Sequence, residues 1–196
     1  MDSKIIKYFI VLILINFKSY AVEFQGKFIQ GHFIIGKTEP GTEISIDKKK
    51  IKVSKDGYFA FGLDKDRKFD VVISEGEKKI IKKVKKRKYK IQRIDGLPEK
   101  KVTPPKEFYE RIKKENKLIS NAREVDSDLS FFKDQFIIPV DDAIITGVYG
   151  SQRILNGIPK WPHYGLDFAQ KKGSPVKAMN NGVVTLAEKD LFYTGA

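Results

Sequence analysis

The sequence contains no cysteine. Disulfide staples and thiolate metal sites are therefore excluded, and a transition-metal site would have to be built from His, Asp and Glu. Histidine is itself scarce: the 196 residues carry two, His32 and His163. Low-complexity tracts are absent, with Gly and Pro scattered as turn markers. Membrane-length apolar runs are missing as well. The stretch 8–17 (YFIVLILINF) has ten residues, whereas a bilayer span needs about 20. Acidic charge is in short supply, with 25 Asp and Glu against 38 Lys and Arg, a net charge of +13. Such a balance suits a polyanionic partner, either nucleic acid or an anionic wall or membrane surface.

What is present is enough to fold. Hydrophobic residues make up 41% of the chain and aromatics 12%, which excludes wholesale disorder. The length admits one large domain or two small ones. Residues 1–21 have the three parts of a secretory signal: Lys4 and Lys7, then the apolar run 8–17, then small residues at Ser19 and Ala21. Cleavage after Ala21 is expected, an uncleaved anchor or a buried core segment being the alternative. Loss of Lys4, Lys7, Lys18 and Asp2 takes the 38 basic and 25 acidic residues to 35 and 24, a charge of +11. Export removes nucleic acid from the expected partners and leaves the anionic surface.

Residues 22–100 read as an N-terminal β-domain, a small sandwich or barrel. Short β-rich stretches at 27–35, 43–46, 50–53, 58–61 and 68–73 are separated by the turn signals Glu39-Pro40-Gly41, Lys55-Asp56-Gly57 and Ser74-Glu75-Gly76. His32 lies in an apolar, Gly-flanked stretch and reads as structural. Residues 78–90 carry nine Lys or Arg interleaved with Ile80, Ile81, Val84 and Tyr89. They read as a solvated edge strand whose lysines deter sheet pairing, with a weak attraction for anionic wall polymers or lipid head groups. A linker over 101–135 follows. Thr103 is expected to cap a helix over about 104–125 that starts with Pro104 and Pro105. Phe108, Ile112, Glu115, Ile119 and Ala122 recur on one face of it, which is expected to pack between the domains. From 136 the pattern returns to β, at 136–140, 144–149, 165–169, 176–179 and 182–187. The fold class expected is mainly β.

The chemistry concentrates at His163 and Asp167, four residues apart with Gly165 between them. On a straight strand they would lie about 13 Å apart, too far to share a metal. The backbone must bend, which Gly165 permits and Pro162 steers away from a helix. Spacing alone leaves two readings open, half of a metal site or a hydrogen-bonded His–Asp pair.

The surrounding motifs go further. Ile145-Thr146-Gly147-Val148-Tyr149-Gly150-Ser151-Gln152-Arg153, Asn156-Gly157, Pro162-His163-Tyr164-Gly165-Leu166-Asp167, Lys172-Gly173-Ser174-Pro175-Val176-Lys177-Ala178 and Asn181-Gly182-Val183-Val184 follow in order. This stretch resembles the lysostaphin/LytM-type zinc metallopeptidases, which cleave peptide cross-links of peptidoglycan. The resemblance covers 136–196 and implies an antiparallel β peptidase domain with Zn2+ as cofactor. It maps His163 and Asp167 onto two of three protein zinc ligands. The third ligand and the catalytic His belong to a later H-x-H motif. No histidine follows Asp167, so no catalytic residue is assigned in this chain, which is read as C-terminally truncated and inactive by itself. Arg153, Asn156 and Trp161 are candidate substrate-groove residues. The resemblance further implies peptidoglycan as partner and a periplasmic or envelope location, with an N-terminal domain like those of exported Gram-negative proteins. Two alternatives stand beside the enzyme: a non-catalytic LytM-like activator of another wall hydrolase, and a cell-wall-binding module.

Overall fold

In the first half of the chain, apolar residues alternate along short β-rich stretches. That alternation places one side chain in two on a common face. The computed structural model describes residues 22–193 and residue 195. The expected signal sequence at 1–21 lies outside the described residues. The fold is mainly β. Among the described residues, no helix is long and apolar enough to cross a membrane.

Two antiparallel sheets form the N-terminal unit. One has the order β1–β2–β5, from β1 (Glu23–Gln25), β2 (Phe33–Lys37) and β5 (Tyr58–Gly62). The other has the order β4–β3–β6–β7, from β3 (Ile44–Ile46), β4 (Lys49–Ile51), β6 (Val71–Glu75) and β7 (Lys78–Lys82). Ile34, Phe59 and Phe61 of the first sheet meet Ile44, Val71 and Ile73 of the second, with Val22 and Leu63 completing the core. Each fully buried Ile, Val or Phe contributes about 1.5–3 kcal/mol. Gly36 pairs with Phe59 across β2 and β5. A Cβ at Gly36 would run into the buried Phe59 ring, so the missing side chain makes room for the largest residue of the core. β7 is one edge of the second sheet, β4 the other.

The tight connection between β3 and β4 passes through Asp47 and Lys48, both at positive φ (49° and 71°), which gives the strand twist a hairpin needs. Arg67 fixes this turn by donating to both Asp47 carboxylate oxygens at 2.7 and 3.0 Å. The guanidinium holds the Asp47 carboxyl below its usual range.

Between the two halves runs α1 (Glu99–Val102), then a 3-10 turn at Lys106–Phe108, then α2 (Tyr109–Arg123). Thr103 does not cap the long helix. It is extended (φ −131°, ψ 131°) and its N–H closes α1 on the Glu99 carbonyl. The reason is Pro104-Pro105: a residue before proline is pushed out of the helical region, so helical geometry begins at Lys106. The expected face of α2 is the half-buried one, but no residue of α2 is fully buried. Phe108 meets the Phe192 ring at 5.2 Å, and the Glu115 carboxylate accepts the Phe192 N–H at 2.7 Å.

The second half forms two small sheets. β9 (Ile144–Gly147) pairs antiparallel with β12 (Asp167–Ala169). β10 (Gln152–Leu155) and β11 (Ile158–Pro159) form a hairpin through Asn156 and Gly157, at φ 49° and 76°. β10 also pairs in parallel with β8 (Ile91–Ile94). Thus β8, at the end of the segment read as the N-terminal domain, contributes its hydrogen bonds to the second unit. Three expected strands, at 136–140, 176–179 and 182–187, are not strands. The first two are joined only by isolated bonds among the described residues, Ile137 N–H to the Met179 carbonyl at 2.9 Å and Lys177 N–H to the Pro139 carbonyl at 2.7 Å. The third has no ladder partner among the described residues, and its Val183 and Val184 are 67% and 82% exposed.

Candidate functional site

Two independent supports bring His163 and Asp167 together. The first is the turn over 148–151, closed by the Ser151 N–H on the Val148 carbonyl at 3.1 Å with Gly150 at φ 83°. A positive φ at the third position is the requirement of a type II turn, and glycine meets it without steric cost. On either side of Gly150 the turn grips the backbone of His163. The Gly150 N–H donates to the His163 carbonyl and the His163 N–H donates to the Ser151 carbonyl, both at 2.7 Å. The second support is the β9–β12 ladder, whose register sets Asp167 opposite Gly147 with a bulge between Asp167 and Phe168. The chain bends at Gly165, and His163 Nε2 comes to 3.2 Å from Asp167 Oδ1. The side chains are 33% and 54% exposed, so the pair is open to solvent on one side.

Gly147 is the tight position of the site. A Cβ there would overlap the Asp167 carboxylate and lie 2.9 Å from His163 Cε1. Gly165 plays a lesser part than its place in the motif suggests. Its φ is not in the left-handed region, so other residues could adopt its backbone, and what it supplies is clearance of 3.4 Å to His163 Nε2. No local sequence signal singles out Gly147, because its neighbours arrive from residues 163 and 167.

The pair lies in an open groove of about 1080 Å³ between the β8–β10–β11 sheet and the β9–β12 pair. Arg153 and Trp161 line it together with His163, Tyr164 and Asp167. Trp161 is 88% exposed. Asn156 does not line the groove. It sits in the β10–β11 turn, where its Nδ2 donates to the Leu97 carbonyl at 2.7 Å and its Oδ1 accepts the Leu97 N–H at 3.0 Å. Its role is to tie the hairpin to the segment after β8. The Asn156-Gly157 pair, a strong hairpin signal, marks this turn in the sequence. His32 is also outside the groove lining. It is half-buried in the N-terminal unit, where burial and the nearby Arg87 and Lys27 lower its pKa.

Tyr89 adds a support that the basic character of residues 78–90 conceals. Its ring lies against Gly150, its hydroxyl reaches Gly31, and Tyr149 closes on the same spot. The Lys65 ammonium and Arg87 guanidinium sit over the ring at 5.5 and 5.2 Å. Among the described residues the hydroxyl is buried without a hydrogen-bond partner, and burial raises its pKa. A side chain near the end of the basic run thus plugs the gap between the N-terminal unit and the turn that carries His163.

Two donors on one zinc, each about 2.0–2.1 Å from the ion at a tetrahedral angle, lie about 3.3 Å apart. The 3.2 Å separation of Nε2 and Oδ1 matches that bite. An imidazole with a carboxylate is a donor set that zinc accepts, and the space kept free at Gly147 lets both reach one point. The residues therefore fit two positions of a zinc centre. Among the described residues, no three His, Cys, Asp or Glu side chains converge as a metal-binding group. No family model matches the chain, and no curated protein sequence matches it.

Proposed function

We propose that the chain is part of an exported zinc-dependent endopeptidase that hydrolyses peptide cross-links of peptidoglycan. The observation that carries this reading is the 3.2 Å approach of His163 Nε2 to Asp167 Oδ1 inside a groove. Their separation suits a shared metal, and the motifs around them resemble the lysostaphin/LytM-type peptidases. When bound, zinc supplies a Lewis acid and a water acidified toward neutral pH.

The chain's own residues have three tasks. His163 and Asp167 would hold the ion. The turn over 148–151 and the β9–β12 ladder fix these two groups, so little side-chain ordering is left to accompany binding. Arg153 brings a fixed positive charge to the groove, and Trp161 offers an exposed aromatic face against which a peptide can lie. The third ligand and the catalytic histidine would come from an H-x-H motif that this sequence does not contain.

Calorimetric titration of the full chain with Zn2+ tests the proposal. Weak binding is expected, far below that of a three-ligand site, and His163→Ala or Asp167→Asn should abolish it. Zinc binding that survives both substitutions would overturn the assignment of these ligands. Tight, stoichiometric binding by the unaltered chain would overturn the reading of a half-site. Incubation with purified cross-linked peptidoglycan should release no peptide, whereas a longer product of the same gene bearing an H-x-H motif should release it.

A further inference from the structure

The cationic run on the edge of the N-terminal unit is more than protection of a sheet edge. Charged side chains, lysine especially, discourage edge pairing, but residues 78–90 carry nine Lys or Arg and no carboxylate. Among the described residues, Lys78 alone of these nine reaches a carboxylate, Glu75 at 4.0 Å. The nearby Glu77 lies in the turn before β7, and the Asp70 carboxylate accepts the Val84 N–H at 3.0 Å. The run is held in place beyond the strand as well. The Lys85 N–H donates to the Phe28 carbonyl at 2.9 Å, and the Arg87 N–H donates at 2.9 Å to Oε1 of the buried Gln30. The charges therefore sit on an ordered surface rather than on a floppy tail.

Edge protection also leaves the apolar residues on this surface unexplained. Ile80 turns into the core, so its neighbour Ile81 faces outward, opposite Val72 of β6, and is 68% exposed. Lys79 and Lys83 flank it on the same side of the strand. Phe69, 79% exposed, stands in the bend before β6 next to Asp70, whose carboxylate accepts the Val84 N–H of the continuation of β7. Exposed apolar side chains set among unpaired lysines are the pattern of a surface that rests on a lipid head-group layer, with charge drawn to anionic lipid and apolar groups entering the acyl boundary. A soluble polyanion would use the lysines but gain nothing from Ile81 or Phe69.

We propose that β7 and its basic continuation form a docking face for an anionic phospholipid membrane, with Ile81 and Phe69 as its apolar contacts. The inference stands on this face alone and does not depend on the zinc site. Co-sedimentation of the full chain with vesicles tests it, using phosphatidylcholine alone and phosphatidylcholine mixed with about one-third phosphatidylglycerol. Residues 1–21 are common to all variants, so differences between variants report the docking face. Stronger partitioning to the anionic vesicles is expected, weakening as salt shortens the screening length. The Lys79→Gln/Lys83→Gln pair should lower it about 30-fold, from roughly 1 kcal/mol for each lysine near an anionic surface. Ile81→Ser should lower it about ten-fold through lost apolar insertion. Equal partitioning to both vesicle types would overturn the proposal, as would unchanged binding of the lysine pair. Loss of binding with the lysine pair but full binding by Ile81→Ser would also overturn it, by assigning the face to a soluble polyanion.

Discussion

Gly147→Ala probes the candidate site without removing either of its functional groups. The added methyl would overlap the Asp167 carboxylate and stand 3.0 Å from Asp167 Cγ and 2.9 Å from His163 Cε1. A comfortable carbon contact is about 3.5–4.0 Å, so both groups must give by about half an ångström or more. Asp167 is held by its register opposite Gly147, and His163 by two backbone bonds of 2.7 Å. Side-chain rotation is therefore the available escape, and it swings Oδ1 away from Nε2. The folded protein should lose about 1 kcal/mol, the low end of the cost of forcing an extra methyl into an occupied space. Zinc binding should fall much further, because both donors leave the shared point at once. Chemical denaturation reads the first effect, and zinc titration followed by the imidazole NMR signals of His163 reads the second. The reasoning is refuted if Gly147→Ala binds zinc as the unaltered chain does, with the His163 signals unmoved.

The N-terminal core offers a harsher version of the same test. Gly36→Ala drives a methyl into the fully buried Phe59 ring, and the stacked Phe61 and edge-on Phe24, both with centroids at 6.4 Å, block its retreat. A loss of about 2 kcal/mol and a melting temperature lower by about 10 °C are expected by calorimetry, with Phe59→Leu in the same chain restoring part of both. Asn156→Ala removes both bonds to Leu97 and leaves at φ 49° a residue without the polar side chain that lets Asn occupy the left-handed region; about 2 kcal/mol and the exchange protection of the Leu97 amide should be lost, while Asn156→Gly should lose the bonds without the backbone penalty. Arg67 holds the Asp47 carboxyl below its ordinary value of 3.8. Because the folded value is the lower one, the stability this pair contributes is complete above the ordinary value and is lost as pH falls through the folded one. Arg67→Met should flatten that acid limb in melting curves taken between neutral pH and the carboxylate range, and the step should be small because Asp47 is 41% exposed.

Where pairing is local, the sequence reveals it. Phe59 and Phe61 alternate with Tyr58 and Ala60, and the burial of β5 follows that parity residue by residue. Of the three turn signals only 74–76, which overlaps the end of β6, joins strands that pair with each other, whereas 39–41 and 55–57 pass the chain between the two sheets. The parallel pairing of β8 with β10 carries no such mark. Its register couples Ile91 to Gln152 and Ile94 to Leu155, and a parallel pair has no hairpin turn to announce it. The failed strands near the end of the sequence show the opposite limit. Val183 and Val184 have strand-like composition, but β-propensity reflects fit to a pleated, half-buried surface, and these residues have no such surface in the described structure.

The same division runs through the candidate site. The spacing of His163 and Asp167 shows that the backbone must bend for them to meet, and it does. What fixes the meeting is less legible, because each residue hangs from a different support. His163 depends on the turn over 148–151, against which Tyr89 packs, whereas Asp167 depends on the β9–β12 ladder and the empty Cβ position of Gly147. Tyr89 reads in the sequence as one member of a basic stripe, yet its ring is the plug between the N-terminal unit and the His163 turn. A change at Tyr89 should therefore act on the imidazole and leave the carboxylate in register, while a change at Gly147 strikes both. Since metal binding requires the two donors to converge on one point, the separation of His163 from Asp167 is set jointly by the docking of the N-terminal unit and the local ladder, and neither support alone determines it.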